Sequence, residues 1–443
     1  PSKRLTPKFL DFEKDITLSK LNDVEIAYAE NKNNEVFNLY YLFDLGTNTD
    51  KELALAIQYL PYLGTSTYSA EDLQKEFYRY GLEFGVNAGS DQVSVSLTGL
   101  EENLDKGIEL FEHILANVQA DSSVYAELVS DVLKARVNAK LDKNTILRSG
   151  LGSYAKYGPV NPFTDRLSME QIESMRVDSL VKKIHALSNI EHRIFYFGAM
   201  SLYKVKGLIA KHHTNTSKLN PIPKEKKFEE LVTSSNKVFY APYDMQQVEI
   251  FFISKDEVFN PEMLAGIKLF NEYFGAGLSS IVFQEIREKK ALAYSAYSYI
   301  STPTAKEKSH YVNAYIGTQA DKLSDATSAM FELMNDMPEA EMQFNAAKEA
   351  VTKKLESDWT TGSNVYWQYE RAKKLGVNYD LNQKIYTQVQ EMELSDLKIF
   401  FNNHVKGNEY SICVIGNKSN MDFGALETLG ELKQLELEEL FGY

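Results

Sequence analysis

Cysteine is almost absent. The 443 residues hold one, Cys413, so no internal disulfide can staple the chain and the redox compartment stays open. It lies in the run Tyr410-Ser411-Ile412-Cys413-Val414-Ile415, where a free thiol packs as a small hydrophobe, and is read as strand core. No apolar run reaches the length of about 18 residues that a membrane-spanning helix needs. A dense basic stripe is missing too. Lys51, Arg136 and Lys353 typify scattered cations in a chain of net charge −14, which argues against a nucleic-acid partner and favours neutral or cationic ones. Neither a Gly-x-Ser-x-Gly elbow nor a phosphate loop ending in Gly-Lys-Ser/Thr occurs, so serine-hydrolase and P-loop chemistry have no footing.

Metal chemistry is also thin. Two histidines one helical turn apart, with a glutamate between them, can share a zinc and supply a base. None of the seven histidines fits that spacing. Ser188 stands four positions before His192, and His212 and His213 are adjacent, pointing apart on a helix. His113, His185, His310 and His404 are isolated in sequence. All are expected to be surface or satisfied structural histidines. Glu101-Glu102 reads as a solvated helix start. The chain begins at Pro1 with no methionine, which suggests a processed piece of a longer product.

What is present is an internal repeat. Val36–Phe43, VFNLYYLF, alternates apolar and polar and then turns continuously apolar, as a half-buried strand can. Val248–Ile253, VEIFFI, looks the same about 210 residues later. Each is followed by an apolar helix (Glu52–Leu63; Pro261–Phe274), a glycine (Gly64; Gly275), a short helix (Ala70–Tyr80; Ser279–Lys289) and a strand (Leu82–Ala88; Leu292–Ile300). The copies close alike, His192–Gly198 matching Tyr410–Gly416. Helical spacing recurs over Leu104–Asn117 and Val124–Val137. The fold class is therefore α+β, with two homologous domains, each a mostly antiparallel sheet with helices packed on one face. The domains are expected at 1–218 and 219–443, joined by a linker near 214–227 rich in proline and charge.

Phe274–Ser295 reads FGAGLSSIVFQEIREKKALAYS. Its glycines, Gly275 and Gly277, its Ser279-Ser280 pair, and the ordered run Arg287-Glu288-Lys289-Lys290-Ala291-Leu292-Ala293-Tyr294-Ser295 resemble the M16, pitrilysin-like and mitochondrial-processing-peptidase-like, zinc peptidases. The framework Gly81–Ala88 is similar to that family's Gly-x-x-x-Asn-Ala pattern. The resemblance implies a chain from the non-catalytic half. Where catalytic members carry His-x-x-Glu-His, this sequence has Leu55, Gln58 and Tyr59, and Lys134 is the best match for the distal glutamate. No ligand set for zinc survives, so no cofactor is expected on this chain and zinc is expected in a partner half. That half would be upstream on the same polypeptide or on a separate subunit.

The resemblance further implies that Arg287 and Tyr294 contact an unfolded peptide substrate, with Gly275 and Gly277 allowing close backbone approach or a tight turn. Plainer readings stay open. Arg287 could pair with Glu288 or Glu285, and Tyr294 could be core. Functionally, a helper half of a peptidase competes with a non-proteolytic scaffold subunit and with a module capturing peptides by strand addition. The compartment is undetermined, and a bacterial periplasm or envelope is compatible with the chain.

Overall fold

A computed structural model describes residues 5–213, 218–275 and 277–443. Twelve strands form two six-stranded sheets among them. The first sheet holds β1 (Thr17–Leu21), β2 (Val24–Glu30), β3 (Val36–Phe43), β4 (Glu83–Ala88), β5 (Val93–Leu100) and β6 (Arg193–Gly198), in the order β1-β2-β6-β3-β5-β4. The second holds β7 (Lys237–Pro242), β8 (Gln247–Val258), β9 (Ser295–Ser301), β10 (Ser309–Gln319), β11 (Ser411–Gly416) and β12 (Glu431–Gln434), in the order β12-β7-β11-β8-β10-β9. Five positions correspond, including the parallel pairs β2–β6 and β7–β11. The outermost strand differs, because β1 joins β2 as an antiparallel hairpin whereas β12 returns parallel to β7. The repeat and the α+β class read from the sequence are borne out.

The change of pattern within VFNLYYLF has a structural cause. Phe37, Leu39, Tyr41 and Phe43 face the helices of the first half, chiefly Leu104–Asn117. Leu42 and Tyr40 face the opposite side, and Phe195 of β6 lies with them. That second face is covered from the other half. Tyr366, on the helix Asn364–Lys374, stacks on Phe195 at 4.0 Å, and Trp367 meets Tyr40 edge-on at 5.3 Å. The second sheet is treated reciprocally. Ile250, Phe252, Ile412 and Val414 face its own helices. Phe251, Ile253, Cys413 and Ile415 pack against Ile146, Leu147 and Leu151 of the first half. Strands buried on both faces lose the polar alternation that one-sided burial leaves behind, and Cys413 is fully buried there.

The helices of the second half are less regular than expected. The stretch predicted as one helix over 261–274 opens as a 3₁₀ turn, continues as α-helix over Leu264–Phe270 and ends as a π-turn over Asn271–Gly275. The next helix is π-helical over Phe283–Lys289. Their counterparts, Lys51–Tyr59 and Ala70–Arg79, are ordinary α-helices. β9 begins at Ser295, three residues later than the expected Leu292, because Ala291 takes a left-handed φ of 49° and breaks the approach. Of the linker expected near 214–227, residues 214–217 lie outside the described residues. The rest is mostly exposed and without regular structure, apart from a bridge between Ile190 and Asn220.

Candidate functional site

Arg287 sits in the last turn of the π-helical segment Phe283–Lys289 and is exposed. Its guanidinium lies 4.7 Å from the Phe283 ring centroid, and its Nε is 3.8 Å from Glu288 Oε1, with both side chains about half exposed. A contact of that length between solvated groups contributes little. Glu285, the other carboxylate weighed for Arg287, is taken by Lys289 at 2.5 Å. Tyr294 is 53% exposed, so it is not core. Its backbone N–H bonds to Gly317 O at 2.8 Å, and its hydroxyl accepts from Gln319 Nε2 at 2.8 Å, leaving the phenolic proton free to donate outward. The turn between the two residues is built around Ala291. Leu292 N–H reaches back to Ile286 O at 3.0 Å, and Lys322 Nζ holds the Ala291 carbonyl at 3.0 Å. A non-glycine residue with positive φ stores strain that surrounding contacts must hold.

The two glycines do different jobs. A Cβ on Gly275 would stand 1.8 Å from Ser298 O, so only glycine lets this helix end lie against β9. Gly277 has φ of +97° with open space around it, so its need is torsional. Next to Gly275, the Asn271 carboxamide takes both backbone groups of Ile300. Ile300 N–H donates to Oδ1 at 2.8 Å, and Nδ2 donates to Ile300 O at 3.1 Å. β9 is an edge strand, and this pairing occupies its backbone at that point.

The positions that the resemblance sets against zinc ligands lie in the first half. Leu55 is buried, Gln58 exposed and Tyr59 fully buried, all on the helix Lys51–Tyr59. The Tyr59 hydroxyl is committed, donating to Asp121 O at 2.6 Å and accepting from Asp121 N–H at 2.9 Å. Lys134 is exposed, 3.4 Å from Asp131. An aliphatic side chain, an engaged phenol and an ammonium do not fit zinc. Among the described residues, no group of three or more His, Cys, Asp or Glu is arranged to hold a metal ion.

Two features escaped the sequence. His192 and His213, 21 positions apart, meet with their Nε2 atoms 3.2 Å apart. His192 Nδ1 donates to Ile190 O at 2.6 Å, and His213 Nδ1 lies 2.7 Å from Glu112 Oε1, which also accepts from the Tyr41 hydroxyl at 2.5 Å. Burial holds His192 down at about 4, despite its bond to the Ile190 carbonyl. These are satisfied structural histidines, as expected, and His212 turns away to Asp105 at 2.6 Å. Glu101 corrects the expectation of a solvated helix start. It accepts from the Tyr196 hydroxyl and from the N–H groups of Ala199 and Met200, fixing the turn after β6.

The second missed feature is a cavity of about 420 Å³ lined by Leu55 and Gln58 together with Lys51, Arg136, Asp165 and Arg166. Lys51 and Arg136 look scattered in sequence, and the fold gathers them. The only sequence signal is an arginine on the inward side of the helix Ser122–Ala139, where Arg136 is 8% exposed.

Two related six-stranded sheets of this order, with an exposed arginine and tyrosine in the second half, define a duplicated α+β protein. The comparisons make that specific. Residues 189–351 match the family model described as Peptidase M16 inactive domain. A protein of Rickettsia felis named as an uncharacterized zinc protease is 24% identical over 294 residues, spanning 62% of this chain and 66% of the relative, just under two thirds of its length. The peptidase M16 inactive domain from Pseudomonas fluorescens superposes with a TM-score of 0.72 at 16% identity, covering 91% of this chain and 98% of that one. The periplasmic protease PqqL from Escherichia coli also gives 0.72, at 12% identity, over 94% of this chain and 47% of its own. The structural likenesses establish the fold, and over residues 189–351 the chain is similar to the M16 inactive domain.

Proposed function

We propose that this chain is the helper half of a zinc peptidase, closing a chamber and holding an unfolded peptide for a zinc-bearing half. The observation that carries the reading is the exposure of Arg287 and Tyr294 at the two ends of one strained turn, with no strong internal partner for either charge or phenolic proton. The twofold length of the Escherichia coli protease supports a partner half of similar size, and the name of the Rickettsia relative supports zinc as the metal of that half. In this reading the domains run 1–218 and 219–443, and the chain itself binds no cofactor.

The partner half supplies the metal and the attacking water. Tyr294 donates its phenolic proton to the scissile carbonyl oxygen as negative charge collects there, a donor whose loss typically costs about a hundred- to thousandfold in turnover. Arg287 offers a planar fork of donors to backbone carbonyls of an extended peptide, worth about 1.5–3 kcal/mol. Capture by strand addition along β9 is disfavoured at Ile300, whose backbone groups Asn271 already holds.

The test is cleavage of a quenched fluorescent peptide by the zinc-bearing half, mixed with wild-type chain or with the Arg287→Ala, Tyr294→Phe double variant. The expected result is an inert chain alone, an active mixture, and a double variant that still binds its partner but loses most activity. Full activity with the double variant would make both residues structural and favour the scaffold role.

A further inference from the structure

The cavity lined by Leu55 and Gln58 has an unusual electrostatic make-up. Arg136 is 8% exposed, yet its Nη1 has no hydrogen-bond partner. Its Nη2 donates to Leu167 O at 2.6 Å, and the guanidinium lies 4.8 Å from the Tyr443 ring centroid. Arg166 lies over the same ring at 5.5 Å, and its Nε donates to Phe163 O at 2.8 Å. Among the described residues, neither guanidinium has a carboxylate within salt-bridge distance. The one acid on the cavity wall, Asp165, is shared by Lys51 and Lys226, both 2.8 Å from its Oδ1. Three cations thus line the cavity with one anion, which a fourth, Lys226, also holds, inside a strongly acidic protein.

Burying the Arg136 charge beside the half-buried Arg166, without a counter-charge, is costly. Desolvation, and for Arg136 the neighbouring Arg166, pull both guanidinium values below the ordinary arginine range. An oxyanion seated between them would offset that cost through charge-assisted hydrogen bonds. The rest of the wall narrows the choice. Asp165 Oδ2 is buried and accepts from nothing, so the same cavity wall carries an idle acceptor as well as the idle Arg136 donor. A dianion such as phosphate would be repelled there, whereas a group carrying both a carboxylate and an N–H would satisfy both atoms. Leu55 and Val132 add an apolar wall suited to a hydrophobic side chain. The volume, about 420 Å³, lies within the range of small-ligand pockets.

We infer that this cavity binds the C-terminal end of a short peptide, its carboxylate on Arg136 and Arg166, its last N–H on Asp165 Oδ2 and an apolar last side chain on Leu55 and Val132. The choice of a peptide, rather than another carboxylate carrying an N–H, rests on the peptide-handling reading above. The site itself does not depend on Arg287 or Tyr294.

The test is titration calorimetry of the full chain with three probes: a tripeptide acid ending in leucine, the same tripeptide as its C-terminal amide, and inorganic phosphate. The acid is expected to bind at least about tenfold more tightly than the amide, the loss of one charge-assisted contact. Arg166→Gln should weaken the acid by a similar factor and leave the amide unchanged. Leu55→Trp, which fills the cavity without removing a charge, should abolish binding while circular dichroism stays native. The Arg287→Ala, Tyr294→Phe variant should bind the acid as wild type does, so a failed helper role and a failed cavity give different patterns. Equal binding of acid and amide would overturn the inference, as would binding of phosphate alone or no heat from the acid at millimolar concentration.

Discussion

Replacing Gly275 with alanine tests the packing of the second-half site most directly. The added Cβ would stand 1.8 Å from Ser298 O and 2.7 Å from Ser298 C, both backbone atoms of β9. No rotamer change relieves a backbone clash, so the 271–275 turn must move off the strand by more than about 1 Å. That movement strains the paired bonds between Asn271 and Ile300, worth about 1 kcal/mol each, on top of about 1–3 kcal/mol for overpacking. The sum is about 3–5 kcal/mol. At a urea slope of about 2–3 kcal/mol per molar, the midpoint should fall by roughly 1–2.5 M. Both tryptophans, Trp359 and Trp367, lie in the second half, so intrinsic fluorescence follows the transition. Two other glycines serve as controls. Gly277→Ala meets open space and pays only for its φ, about 1–3 kcal/mol, and Gly277→Asn should recover part of that. Gly207, within the helix Leu202–His212 and also in open space, should gain about 0.5–1 kcal/mol as alanine. A Gly275→Ala protein that unfolds at the wild-type midpoint would refute the account of this contact.

Acid should weaken the protein through His192. Its folded value, about 4, lies below the ordinary 6.5, so the unfolded chain takes up the proton first. The contribution is complete above pH 6.5 and is lost as pH falls toward about 4, by up to about 3 kcal/mol; in urea titrations at several pH values, His192→Gln should flatten that window relative to wild type. Arg193 holds Asp44 with both Nη atoms, at 2.7 and 2.8 Å, and Glu370 of the other half at 2.9 Å. Arg193→Ala strands a 5% exposed Glu370 and should cost about 3–5 kcal/mol by the same measurement, and a loss below 1 kcal/mol would mean the fork is idle. Burial pushes the Cys413 thiol well up, so it should resist a thiol reagent in the native protein and react stoichiometrically in denaturant.

Much of the fold was legible because burial leaves its mark on local pattern. Val93, Val95 and Leu97 alternate with Ser94, Ser96 and Thr98, as one covered face requires. The loss of alternation in Tyr40-Tyr41-Leu42-Phe43 was read as a half-buried strand, and the structure shows it to be a second covered face, because no local pattern says that another element will cover it. The cover, Asn364–Lys374, comes from the other half. The motif around Arg287 and Tyr294 was legible only through its resemblance to a family, and the close approach at Gly275 and the positive φ at Gly277 are physical reasons for two of its residues. The meeting of His192 with His213, and of Arg136 with Arg166, was not. Each joins residues from separate elements, and a lone histidine or arginine carries no sign of its partner. The π-turns at 271–275 and 283–289 were invisible too, because the apolar spacing that predicts a helix does not fix how tightly its turns are wound.

The reciprocal covering of the two sheets sets a timetable for synthesis. All six strands of the first sheet have been synthesised once Gly198 is made, and yet Leu42 and Phe195 wait for Tyr366. At about 5–20 residues per second, the roughly 165 residues in between take some ten to thirty seconds. For that interval a nascent chain displays a sheet face that Phe12 and Ile16 cover only in part. The segment Ile146–Leu151 meanwhile waits, uncovered, for a second sheet that closes only at β12. Each half therefore completes its burial only against the other.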